Sequence, residues 1–378
     1  TGLADKIIVE EYEGQKIDDI KRYEVDIFTV GSDWVGKFDY LNEYCEVIYL
    51  DRTEGISSSK IRSEIKPIRM GLIGNYAPFM NKIQQEDKYV NGLEIVGICT
   101  NNINEMNNCI QNMEIVTQDY KELLEKVDAI YLKNHPSNNY QIIKDAIMSG
   151  KHVLCESAIT DSVEKTMELF KLAQDNDVVL MDAIRTAYST AYYRLLLLIK
   201  GGIIGKVLSV DATCTSINNL DKKQSLINWG PTTLLPVFQI LGVKYKNKNI
   251  ISHFRNSDGN EDTFSKIDFI YNDSVATIKV AEGAKSEGEL IVTGDKGYIY
   301  VPAPWWKTDY FEVRFEDSSK NKRYFYQLDG EGIRYELVAF ARNIQDNKLE
   351  NNYIANDVSL EICKIMEDFN NKIDLIEI

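Results

Sequence analysis

The chain has 378 residues, 44% of them hydrophobic and 27% charged; Lys+Arg total 43 and Asp+Glu 58, a formal net charge of −15. This excludes a disordered, collagen-like or disulfide-scaffold chain and allows about two or three domains. So large an acid excess also excludes nucleic acid as the default partner, though a small anion at a locally basic site is still allowed.

Six cysteines without a C-x-x-C pair predict reduced, mostly buried thiols and a cytoplasmic protein. Three histidines and no H-E-x-x-H motif predict no metal site. The longest apolar run, at 195–199, falls far short of the ~20 residues that span a bilayer, and no signal peptide is seen. No membrane partner is expected.

Residues 1–66 predict alternating short elements. The runs 25–30 (VDIFTV) and 45–50 (CEVIYL) suit buried strands. A turn-rich connection, 31–39, lies between them. The serines of 51–62 (DRTEGISSSKIR) can cap a following helix and leave backbone N–H groups facing an anion.

Pro67 breaks the pattern, and strand–helix alternation follows to about residue 186. Strands are predicted at 68–74, 93–99, 129–132, 152–155 and 178–181, and helices at 120–126, 140–148 and 163–176. Gly150 is the stop signal of the second helix. Apolar strands alternating with helices predict a doubly wound parallel α/β sheet that binds its ligand at the strands' carboxyl ends.

Beyond Ser189 the character changes. A helix at 191–200 precedes strands at 207–215, 267–270, 275–280, 289–293 and 297–301, with a hairpin-type turn at 294–297. Helices at 333–344 and 357–369 close the chain. The strands predict a largely antiparallel sheet whose open apolar face is covered by a homo-oligomer contact. Pro304-Trp305-Trp306 suits either that face or a pocket wall.

The segment MGLIGNYAPF at 70–79 is a strand feeding a glycine turn, the arrangement that seats a dinucleotide pyrophosphate. Gly71, Gly74 and Asn75 form that turn, but Tyr76 stands where the second motif glycine belongs. The next strand ends in Thr100 and Asn101 rather than an acid; either can bond a ribose hydroxyl, and neither chooses NAD or NADP.

The run Gly150-Lys151-His152-Val153-Leu154-Cys155-Glu156-Ser157-Ala158 resembles the G-K-H-V-L-C-E-K-P of the Gfo/Idh/MocA family of NAD(P)-dependent oxidoreductases. So do 182–189 (DAIRTAYS), 202–207 (GIIGKV) and 332–336 (GIRYE). The resemblance runs over 67–378. It implies a Rossmann domain at 67–188, with Glu156 and Ser157 beside the cofactor, and a C-terminal α+β domain at 189–378 for substrate and oligomerisation. The family's catalytic lysine falls on Ser157, its later acid and proton donor on Leu234 and Phe238, and its helix histidine on Asn139. Lys133 and His135, just past the strand at 129–132, are the candidate replacements.

Residues 31–39 (GSDWVGKFD) and 52–59 (RTEGISSS) resemble the second half of glycerol-3-phosphate cytidylyltransferases. The resemblance implies that Arg52, Thr53, Ser57 and Ser58 hold CTP phosphates and that Asp33 and Trp34 line the nucleotide side; a guanidinium with hydroxyls and free N–H groups is a phosphate cradle. The H-x-G-H half of that family is not in this sequence, so the native protein is expected to begin earlier. Together the resemblances imply an oxidoreductase joined to a cytidylyltransferase module, acting on a sugar or polyol phosphate for cell-surface polymers. The alternative is a catalytically degenerate module that binds, dimerises and supports a cytidylyltransferase.

Overall fold

The computed structural model describes residues 15–51, 66–106, 110, 113–217, 224–255 and 261–378. The chain divides into two compact units, Thr1–Lys66 and Pro67–Ile378.

In the first unit, helix α1 (Gln15–Arg22) precedes the parallel pair β1 (Ile27–Gly31) and β2 (Glu46–Leu50). Two 3₁₀ turns, Ser32–Trp34 and Asp39–Glu43, join the strands. The strands form where predicted but are not buried: Ile27 is 49% and Leu50 52% exposed. A two-stranded sheet has too little cover for two apolar faces. The predicted helix cap at 51–62, with Arg52, Thr53, Ser57 and Ser58, lies outside the described residues.

The second unit opens with a six-stranded parallel sheet in the order β5-β4-β3-β6-β7-β8. Its strands are β3 (Ile68–Gly74), β4 (Leu93–Cys99), β5 (Ile115–Thr117), β6 (Ala129–Lys133), β7 (His152–Cys155) and β8 (Leu180–Asp182). Helices α2 (Ala77–Glu86), α3 (Tyr120–Leu124), α4 (Asn139–Met148) and α5 (Val163–Asp175) fall between strands. Every residue of β3 except Arg69 is buried, as expected for a parallel strand covered on both faces. Gly71 allows α3 to sit close: a Cβ there would stand 2.7 Å from Leu123.

After α6 (Thr190–Lys200) comes a nine-stranded sheet in the order β16-β15-β14-β13-β9-β12-β11-β10-β17. Its strands are β9 (Val207–Thr215), β10 (Asn247–Phe254), β11 (Asp262–Ile270), β12 (Val275–Ala281), β13 (Leu290–Gly294), β14 (Tyr298–Val301), β15 (Tyr310–Arg314), β16 (Lys322–Phe325) and β17 (Leu375–Glu377). Neighbours are antiparallel except β9 with β12 and β10 with β17. Helices α7 (Ser225–Leu241), α8 (Ile333–Gln345) and α9 (Asn356–Asn370) complete the unit. The sequence pattern does not predict α7, which carries Pro231 and Pro236 inside it.

The inward residues of β9 and β12, among them Val210, Ala212, Ile278 and Val280, are fully buried. The opposite face corrects the expectation of an apolar surface. By strand alternation it carries Asp211, Thr213, Lys266, Asp268, Thr277 and Lys279, with ion pairs such as Lys266–Asp268. Trp305 belongs to neither setting considered for it: it is fully buried and donates its indole N–H to the Thr213 carbonyl.

Candidate active site

The carboxyl ends of the parallel strands carry the groups that can do chemistry. At the end of β3, Gly74 is needed for packing: a Cβ there would meet the Lys133 carbonyl oxygen at 2.5 Å. Asn75 ties two strand ends together, its Oδ1 accepting from the Thr100 hydroxyl at 3.0 Å and the Asn101 N–H at 2.9 Å. The Thr100 hydroxyl also accepts from the Asn102 N–H, and its side chain is buried. Thr100 therefore holds the turn rather than offering a hydroxyl to a ribose; Asn101 is the exposed one of the two.

Tyr76 precedes α2 with its side chain 55% exposed, and Pro78 occupies the first turn. Helix starts leave N–H groups free, but Pro78 supplies none. Three residues after Tyr76, where the dinucleotide motif has its third glycine for close helix–strand contact, Phe79 is buried against Tyr131 at 5.7 Å between ring centroids. The open helix start and the Asn75 turn fit the seat of a dinucleotide, with a phosphate cradle narrowed by two side chains.

The other half of the edge is charged. Lys133 ends β6, its Nζ 3.4 Å from Glu156 Oε2 and 4.2 Å from the Phe79 ring centroid. Glu156 follows β7 and accepts the Tyr131 hydroxyl at 2.8 Å. That hydroxyl also lies 3.0 Å from Glu336 Oε1, brought from α8, more than 200 residues away in sequence. One phenol hydrogen cannot serve two carboxylate oxygens, so a second proton is required. Burial supplies it by pushing the Glu336 carboxyl well above the ordinary range. Glu336 is fully buried, and its Oε2 has no partner among the described residues. Arg185, just past β8, lies with its guanidinium 5.2 Å from the same Phe79 centroid.

The remaining predicted residues are placed as follows. Ser157, at the family's lysine position, donates to Asp182 Oδ2 at 3.1 Å. Asp182 is buried, its Oδ1 is unpartnered among the described residues, and burial raises its pKa to about 7. His135 is exposed and uses Nδ1 to cap the turn Pro136–Asn138, where it meets the Ser137 hydroxyl at 2.8 Å. It is a turn cap, away from the Lys133 ion pair. Asn139 is buried and donates to the Ile159 carbonyl at 3.0 Å. Leu234 and Phe238 are buried on α7. In the first unit, Asp33 and Trp34 share one 3₁₀ turn, and the Lys37 ammonium lies 4.8 Å from the Trp34 ring.

Tyr131, Arg185, Glu336 and Phe79 were not singled out by sequence reasoning. A local signal existed for two of them: Tyr131 shares a strand face with Lys133, and Arg185 follows a strand end. Glu336 is a long-range partner, and nothing near it in sequence marks its destination. Hollows of about 450 and 350 Å³ lie beside Asn81 and Glu94 and beside Lys121 and Lys151. Neither includes a residue of the charged edge.

The order of the parallel sheet defines a Rossmann-type domain. Residues 68–183 match the model of the Gfo/Idh/MocA "oxidoreductase family, NAD-binding Rossmann fold", so this segment is a domain of that family. A 3-ketoreductase from Actinomadura kijaniata, solved with NADP and TDP-benzene, shares the fold at a TM-score of 0.72 and 15% identity, over 83% of this chain and 100% of its own. The NADP-dependent D-xylose 1-dehydrogenase of Hypocrea jecorina is 31% identical over 109 residues, 28% of each chain. Separately, the glycerol-3-phosphate cytidylyltransferases of Staphylococcus aureus and Bacillus spizizenii are 54% and 51% identical over 62 and 63 residues, 16% and 17% of this chain. The chain spans about half the length of those cytidylyltransferases, 47% and 49%. No helix of the described residues is long and apolar enough to cross a membrane, and no group of them could hold a metal ion.

Proposed function

We propose that residues 67–378 act as an NAD(P)-linked oxidoreductase on a sugar or polyol phosphate, with Lys133 supplying the positive charge that the family carries at the position of Ser157. The Lys133–Glu156 ion pair, beside the Tyr131 hydroxyl at adjacent strand ends, carries this reading. A substrate hydroxyl that ionises as hydride leaves needs a cation and a proton acceptor, and both are held here by a buried network. Backbone N–H groups at Tyr76 and Ala77 would face the pyrophosphate and Asn101 the adenosine ribose; the nicotinamide, when bound, supplies the hydride chemistry. Lys133 would stabilise the alkoxide, and Glu156, which pairs with Lys133 and accepts from Tyr131, would take the proton that the substrate hydroxyl releases. The test is a pair of variants assayed on sugar and polyol phosphates. Lys133→Met should abolish turnover, and adding Ser157→Lys should restore part of it. Unchanged turnover in Lys133→Met contradicts the reading.

The cytidylyltransferase-like residues support a second proposal. Residues 1–66 would belong to a CTP-binding module, with Arg52, Thr53, Ser57 and Ser58 on the phosphates and Asp33 and Trp34 on the nucleotide, activating the same polyol phosphate for a cell-surface polymer. Five free cysteines among the described residues, four of them buried, support a cytoplasmic setting. A homo-oligomer through the nine-stranded sheet would use its aromatic end, where Tyr298 and Tyr300 flank Arg314; light scattering that finds a monomer excludes it.

Tyr76, Pro78 and Phe79 together favour one alternative, a module that keeps the fold as a binding or scaffold domain. Titration with NADH and NADPH separates the two: a saturable fluorescence change supports the enzyme, and its absence supports the scaffold.

A further inference from the structure

Two unsatisfied groups face the charged edge. Arg185 is half-buried beside Phe79, yet it forms no ion pair with a carboxylate among the described residues. It feels Glu156 and Glu336 electrostatically without bonding to either. Glu336 Oε2 is the second, in a fully buried side chain without a partner. A half-buried guanidinium held over a ring and free of a carboxylate keeps its donors open, and five N–H donors in a fork match an oxyanion. The nearby Lys133 is paired with Glu156, whereas Arg185 has no carboxylate partner among the described residues and keeps its fork open to an oxyanion.

We propose that Arg185 is a specificity residue that binds an oxyanion of the substrate, a phosphate ester or a carboxylate, at the carboxyl edge of β6–β8. The Phe79 ring beside the guanidinium limits its rotation, so the fork is held ready for a bidentate contact. The inference rests on the oxidoreductase reading, because it assigns the anion to that reaction's substrate. A chain of net charge −15 can still hold an anion, because the cation acts at contact while exposed acids more than a Debye length away are largely screened.

The test uses the full chain, titrated at constant ionic strength with inorganic phosphate and with acetate, in chloride buffer. Thermal stability and calorimetry are the readouts. At least one of the two anions should stabilise the wild type. Its dissociation constant should rise tenfold or more in Arg185→Met and recover in part in Arg185→Lys, which keeps the charge without the fork. Phosphate winning over acetate assigns an ester, and the reverse assigns a carboxylate. Arg185→Gln, closer in shape, serves if the Met variant does not fold. The proposal is overturned if neither anion stabilises the wild type, if the variants bind as the wild type does, or if phosphate competes with NADPH, which would make Arg185 a cofactor residue. A wild type that binds the anion but neither NADH nor NADPH would instead defeat the oxidoreductase reading alone.

Discussion

The two halves of the sheet's carboxyl edge differ in what their side chains do. Around the β3–α2 turn, Asn75 and Thr100 spend their polar groups on one another, Gly74 packs against the Lys133 carbonyl, and Tyr76 and Pro78 stand where a phosphate would want bare backbone. Along β6–β8, Tyr131, Lys133, Glu156, Arg185 and Glu336 crowd charge and protons into a partly dry site. The first half is locked by its own contacts, and the second concentrates titratable groups. Ser157 stands where the family carries its lysine, and the cation at the neighbouring strand end is Lys133, paired with Glu156.

The largest test of this contrast is Lys133→Met, which should lower turnover by about 10²-fold or more, the scale of losing one positioned acid–base or charge-stabilising group. A loss of that size with an unchanged melting temperature ties the edge to chemistry. Next, Asp182→Asn should remove a pH dependence of stability. The Asp182 carboxyl is raised from 3.8 to about 7, so the folded state binds a proton that the unfolded chain releases. Stability is therefore full below pH 4 and falls as pH rises from about 4 to about 7, by at most ~4 kcal/mol. Denaturant midpoints across that window should flatten in the variant, and an unchanged slope would exclude Asp182 as the source.

Gly74→Ala should destabilise the second unit by about 2 kcal/mol through the Lys133 carbonyl, because the added methyl overpacks the turn; urea unfolding measures it. A wild-type midpoint would mean that the two strand ends can part freely. The smallest effect is expected at Tyr76→Gly. Widening the phosphate cradle should tighten NAD(P)H by up to about tenfold, or ~1.4 kcal/mol. Weaker binding would mean that Tyr76 itself contacts the cofactor.

How much of this was legible in the sequence depended on context more than on propensity. The runs at 25–30 and 68–74 both read as buried strands, and both form strands, at 27–31 and 68–74. Only the second is buried, because it lies inside a six-stranded sheet, paired on both edges and covered on its faces. Local pattern predicts an element; burial needs partners the pattern does not contain. The same limit applied to the nine-stranded sheet, where short strands such as β16 and β17 carry too few residues to show alternation. At the sheet edge, the position of Lys133 was legible from its place after an apolar run. His135 looked equally suitable two residues later, yet its ring caps a turn. Glu336 was out of reach because only folding brings α8 to β6.

Fluorescence titration of the full chain with NADH and NADPH, in the wild type and in Tyr76→Gly, tests most directly whether the fold still serves redox chemistry. A saturable response in the wild type, tighter in the variant, is the result expected here. No response from either protein to either nucleotide would contradict the account and leave the charged edge to a function without a dinucleotide.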